Sequence, residues 1–140
     1  MRDDVRKALA IIPSSTVAQR TIDITTTGRR TGQPRRIEIV FYRFEDGIYL
    51  SGIPAPRTRD WLANLAAEPH FIFHLKHDVV ADIPAVATVI TGPEERRRVL
   101  TRLVEEFNQR RDPNGPWPEA ELEKWVTQSP LARVSFPGGD

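Results

Sequence analysis

Residues 21–44 read TIDITTTGRRTGQPRRIEIVFYRF, and the reading of this stretch decides the fold. Over 21–27, Ile22 and Ile24 alternate with polar neighbours, the period of a half-buried strand. Gly28 to Pro34 breaks the alternation with two glycines and a proline, a turn cluster. From Arg35 to Phe44 the alternation resumes. Ile37, Ile39 and Phe41 share one face, and Glu38, Val40 and Tyr42 share the other. Glu45-Asp46-Gly47 reads as a tight turn and Ile48 to Gly52 as a third strand, so the pattern predicts an antiparallel meander.

Working outward, Ile53 to Arg59 holds two prolines and two arginines and is irregular. Asp60 is placed to cap a short helix, DWLANLAAE, with Trp61, Leu62 and Leu65 on its inner face, and Pro69 stops it. Strands are expected around HFIFHLK and AVATVIT. Pro93, Glu94 and Glu95 suit the first turn of a helix running to about Arg111, with Val99, Leu103 and Phe107 at helical spacing. DPNGPWP is a loop, PEAELEKWV a second short helix, and ARVSF a closing strand. Six or so short strands with inserted helices predict a mainly β, α+β architecture. Closing the sheet into a full or nearly full barrel removes exposed edges. No repeat, low-complexity tract or linker interrupts the chain, so residues 1–140 are expected to form one domain.

Composition narrows the function. The chain has no cysteine, which excludes disulfides, thiol redox chemistry and zinc–thiolate sites. A net charge of +1 argues against a dedicated nucleic-acid binder. No apolar run approaches the roughly 20 residues of a membrane span, and the start, MRDDVRKALAIIPSS, lacks the shape of a secretory signal. The expectation is a cytoplasmic protein.

The segment with most chemical content is Gly28-Arg29-Arg30-Thr31-Gly32-Gln33-Pro34-Arg35-Arg36. It carries four arginines and no acid. Two glycines allow consecutive N–H groups to turn inward as an anion nest, and each guanidinium adds a planar fork for phosphate or carboxylate. Three readings are open: a solvated basic hairpin, a nucleic-acid contact, or a receptor for an anionic tail. The near-neutral whole and the lack of aromatics in the loop count against the second. A second segment, Ser51 to Asn64, adds Arg57 and Arg59, and its helix would present N-terminal amides to a nearby ligand.

Thr25-Thr26-Thr27-Gly28-Arg29-Arg30-Thr31-Gly32-Gln33-Pro34-Arg35, followed by Arg57…Asp60-Trp61-Leu62-Ala63-Asn64-Leu65…Pro69, resembles the deazaflavin-dependent nitroreductase family. The resemblance covers roughly Ile22 to Lys76 and rests on pairing a TTGRxTG loop with a DW…NL…P helix. It implies an antiparallel split β-barrel of the FMN-binding type that uses coenzyme F-420, an 8-hydroxy-5-deazaflavin. By the same resemblance, Arg29, Arg30, Thr31, Gly32 and Arg35 hold the phosphate and acidic tail of the cofactor. Ser51, Pro54, Ala55, Pro56 and Arg57 lie along it, with Trp61 and Asn64 flanking the groove. Reduced deazaflavin would pass hydride to an electron-poor acceptor such as a nitroaromatic, an enone or a quinone.

Alternatives on the same barrel are an FMN-dependent reductase, or a non-catalytic binder of an anionic lipid or tetrapyrrole lined by the ALAII segment and the Trp-rich C-terminus. The possible partners are a small-molecule hydride acceptor and a second copy of the chain as a homodimer. The chain departs from the family where Ile37-Glu38-Ile39 replaces a frequent small-Pro-Leu pattern. Glu38 is either a polar anchor near the ring or a solvent-facing residue at the rim. Family members often carry tyrosines in a C-terminal helix over the substrate. From Thr91 onward there are none here, and Trp117, Trp125 and Phe136 are the candidates to replace them.

His70 and His74 share a strand face but stand about 13 Å apart, and His77 faces the other way, so no metal site is expected and the three read as surface or groove histidines. Ser51 lies in no Gly-x-Ser-x-Gly turn. Its hydroxyl is a candidate catalytic contact to substrate or cofactor, or else a strand serine bonded to backbone. Arg96-Arg97-Arg98, near Glu94-Glu95 and Glu105-Glu106, reads as a salt-bridged solvent face of its helix.

Overall fold

The computed structural model describes residues 1–10, 17–44, 47–110 and 119–138; the side chains of residues 17, 106–110, 119 and 120 lie outside it. The expected turn at Glu45-Asp46, the side chain of Phe107, the DPNGPWP loop and Trp117 therefore fall outside the described residues.

The meander forms as its alternation requires: β1 (Thr21–Thr27), β2 (Pro34–Phe44) and β3 (Gly47–Ser51) pair antiparallel in sequence order. Ile22 faces Ile39 and Ile24 faces Ile37 in register, so the apolar sets of β1 and β2 point to the same side. A slip of one residue would turn all of them outward. β4 (His70–Lys76) pairs with β1 and with β5 (Val80–Val89), and β6 (Leu131–Ser135) joins β5 to β3. The order β1-β2-β3-β6-β5-β4 thus closes into a six-stranded barrel. Ile22, Ile24, Phe41, Leu50 and Phe73 fill it, with Phe41 and Phe73 edge-to-face at 5.3 Å.

β5 begins earlier than its AVATVIT core suggests. Asp82 and Pro84 disguise its first half, yet β6 reaches only Val86–Val89, so Pro84 sits where its missing N–H breaks no ladder. Among the described residues, five helices complete the fold. α1 (Asp3–Leu9) packs Val5 and Leu9 into the barrel core, and α2 (Val17–Arg20) leads into β1. α3 (Asp60–Ala67) follows β3, and Asp60 is its first residue rather than its cap, which is Arg59. α4 (Pro93–Arg110) and α5 (Glu119–Gln128) pack on the outer face of β3 and β6. That second core holds Tyr49, Val99, Leu100, Leu103, Trp125 and Leu131.

Candidate functional site

The β1–β2 hairpin loop is held from within. Gly28 N–H donates to the Gln33 carbonyl and Gly32 N–H to the Gly28 carbonyl, each at 2.8 Å, and Gln33 N–H donates to Thr31 Oγ1 at 3.2 Å. Gly32 has φ +72°, where glycine is at ease. At Gly28 a Cβ would stand 2.9 Å from Thr31 Oγ1 and 3.1 Å from the Gln33 carbonyl, so only glycine fits this closure.

From without, α3 pins the same loop. Asn64 is buried; its Oδ1 accepts from the Arg29 N–H (3.1 Å) and Arg29 Nη1 (2.9 Å), and its Nδ2 donates to Thr26 Oγ1 (3.3 Å). Arg29 Nη2 also meets Asp60 at 3.3 Å. Arg29 thus holds the loop to the helix. Trp61 is buried in the barrel core, one turn before Leu65.

What this leaves free is specific. The amides of residues 28, 29, 32 and 33 are all used, so the nest read from the glycines reduces to the Arg30 and Thr31 N–H groups. Among the described residues, neither Arg30 nor Arg35 has a side-chain hydrogen bond or ion pair. Several other arginines are matched with acids: Arg36 with Asp23, Arg97 with Glu123 and Arg98 with Glu95. A buttressed loop bearing two unmatched guanidiniums beside two unmatched amides fits an acidic ligand tail.

The segment after β3 forms the neighbouring wall. Ser51 is buried and donates its hydroxyl proton to the Pro130 carbonyl at 2.7 Å, while Ala55 N–H reaches the Gln128 carbonyl at 3.3 Å. These two bonds stitch the segment to the α5–β6 turn. Pro54 and Ala55 are half-buried, and Pro56 and Arg57 are exposed. Trp125 does not replace the missing tyrosines over an open groove, because it lies in the core between α4 and α5. Phe136 is half-buried, packs edge-to-face on Phe73 and lines a cavity beside α1 and β5.

Two expectations about charge are corrected. Arg97 and Arg98 form the expected surface pairs, but Arg96 turns inward because α5 and the following turn offer it backbone carbonyls in place of solvent. His74 is no surface histidine either: it is buried on the outer barrel face, with Nδ1 2.6 Å from Asp82 Oδ1 and Nε2 2.7 Å from Thr25 Oγ1. A carboxylate only accepts, so Nδ1 carries the proton between them. Beside it, Lys76 bonds Asp23 at 2.7 Å and also Glu38, giving Glu38 an ion pair on the exposed outer face. The Lys76 hydrogen bond holds the Asp23 carboxyl below its ordinary value, with Arg36 adding to it. Asp23, then Glu38, raises the Lys76 ammonium in turn. No cluster of metal-ligating side chains occurs among the described residues, and none of their helices is long and apolar enough to cross a membrane.

A closed antiparallel barrel with a braced arginine hairpin beside a short helix is a split-barrel fold. Its solved relatives share that fold at low identity. A conserved hypothetical protein, Rv2991 from Mycobacterium tuberculosis, superimposes with a TM-score of 0.65 at 19% identity, over 98% of this chain and 82% of that one. A structure described as an F420-H2 dependent reductase, FDR-A, gives 0.54 at 21%, over 83% and 94%. The heme storage protein HutZ from Vibrio cholerae gives 0.62 at 14%, over 99% and 93%. No curated protein sequence matches the chain. The description F420H(2)-dependent quinone reductase matches residues 11–112, and the chain belongs to that family. It is a reductase that uses coenzyme F-420.

Proposed function

We propose that Arg30, Arg35 and the Arg30 and Thr31 amides grip the acidic tail of coenzyme F-420, and that the acceptor is a quinone or a similarly electron-poor nitroaromatic or enone. The observation that carries this reading is the pair of unmatched guanidiniums on a loop otherwise bonded throughout. When bound, the cofactor supplies the hydride; the protein supplies position and electrostatics. Residues 51–57 form the wall along which the cofactor lies. Ser51 serves as a positioning residue, since its only proton already goes to Pro130. Arg29, Asn64 and Trp61 hold the geometry from behind. Residues 1–140 act as one cofactor-binding unit.

The family description supports a quinone as acceptor, and the reading extends to other acceptors because hydride transfer asks only for an electron-poor carbon or nitrogen centre. Titration of coenzyme F-420 fluorescence with protein tests the grip. Each charge-assisted contact is worth roughly 1.5–3 kcal/mol, so Arg30→Ala and Arg35→Ala should each weaken binding by about tenfold or more. Added salt should weaken the wild type too, by screening the same contacts. Equal affinity in wild type and both variants would remove the loop from the site.

A further inference from the structure

A cavity of about 260 Å³ opens between residues 55–59 and the α5–β6 turn, with Arg57, Arg59, Leu62, Arg96 and Ser129 on its walls and no acidic residue among them. Arg96 donates Nε to the Val126 carbonyl (2.9 Å), Nη1 to Ile90 (3.1 Å) and Nη2 to Ser129 (2.6 Å). Carbonyls take three of its five N–H groups but cancel none of its charge, and desolvation lowers its pKa from the ordinary arginine value. Arg59 gives one bond, to the Ile53 carbonyl at 2.8 Å. Arg57 has no partner among the described residues. Ser129 is 3% exposed and its hydroxyl is also without a partner. Three cations, none of them in an ion pair with an acid, and a buried unmatched hydroxyl converge on one small space. Buried polar groups left this way mark a place where something else completes the pairing.

The tail site stands on a different side of α3. Arg29 holds the Asp60 and Asn64 face, whereas Leu62, two residues from each, turns about 200° away from them to the cavity. An anion met by Arg30 and Arg35 is therefore not the one this cavity would meet. The two sites share only the wall at 51–57.

Building on the cofactor reading above, we infer that the cavity takes an anionic group, a carboxylate, sulfonate or phosphate, carried by the electron acceptor, so that this reductase prefers acidic quinones over neutral ones. The experiment compares anthraquinone-2-carboxylate with its uncharged amide, which differ in charge and little in size. Equilibrium dialysis against protein saturated with oxidised coenzyme F-420 reads binding without turnover. The carboxylate should bind at least about tenfold tighter than the amide, the scale of one charge-assisted contact. Arg57→Met should cut that preference to under about threefold, and the milder Ser129→Ala should narrow it.

Equal binding of acid and amide to the wild type would overturn the inference, as would a preference unchanged in both variants. If the variants instead lose affinity for coenzyme F-420, by fluorescence titration, while the acid-to-amide ratio stays intact, the cavity serves the cofactor's own phosphate and the acceptor assignment is wrong. Should the wild type fail to bind coenzyme F-420 at all, that failure belongs to the cofactor reading. The same acid–amide comparison on cofactor-free protein then decides the cavity alone.

Discussion

Asn64 shows how one amide can hold a site without touching a ligand. Its carboxamide takes two donors from Arg29 and gives one proton to Thr26, and it does so while buried. Removing it would take away the buried oxygen that the Arg29 amide and guanidinium share, and the amide that the buried Thr26 hydroxyl accepts from. A hydrogen bond to a charged group contributes about 1.5–3 kcal/mol. Asn64→Ala is therefore expected to lose about 2–3 kcal/mol of unfolding free energy in urea, and to weaken coenzyme F-420 binding as the loop loosens. Unchanged stability would show that the loop does not depend on this brace. Sequence reading found Asn64 through its motif, but could not tell a groove residue from one behind the groove. That distinction is made by which neighbour claims the amide, and Arg29 lies 35 residues away. Ser51 and Arg96 were opaque for the same reason: each bonds a backbone carbonyl that only the packing of α5 brings near.

At the scale of elements, the outer face of β2, β1 and β4 is tied by charge. Asp23 and Glu38 lie directly opposite in register, a like-charged pair that would destabilise the ladder alone, and Lys76 from β4 bonds both. Because the folded-state pKa of Asp23 is depressed, its contribution is complete above the ordinary value of 3.8 and is lost as pH falls through the lower folded value. The Lys76 pKa is raised, so its share is complete below 10.5 and fades as pH rises through the higher folded value. Lys76→Met should thus lower Tm by about 3 °C near pH 7, with the gap to wild type closing below about pH 4. A gap that persisted at pH 2 would mean Lys76 acts by packing its stem and not by its charge. The strands themselves were legible wherever alternation ran clean, as in β1, β2 and β4. β5 was half hidden, because Asp82 serves His74 and Pro84 occupies an edge, and neither looks like strand in isolation.

For the whole molecule, binding and folding are linked, and that linkage separates residues that hold the fold from residues that hold the ligand. A ligand at one hundred times its Kd stabilises the folded state by about 2.7 kcal/mol, which for a chain of this length raises Tm by on the order of 10 °C. Arg30 makes no side-chain hydrogen bond or ion pair with a described residue, so Arg30→Ala removes no polar interaction from the apoprotein. Its Tm without cofactor should match the wild type within the effect of a surface change, about 0.5 kcal/mol. If its Kd rises tenfold, the same coenzyme F-420 concentration stabilises it by only about 1.4 kcal/mol, so the thermal shift falls to about half. Asn64→Ala should behave oppositely, starting from a lower Tm before any ligand is added. Thermal melts of the three proteins with and without coenzyme F-420, at low and high salt, read both effects together. An Arg30→Ala protein that melts early without ligand, yet gains the full wild-type shift with it, would make Arg30 a structural residue and leave the hairpin without its proposed role.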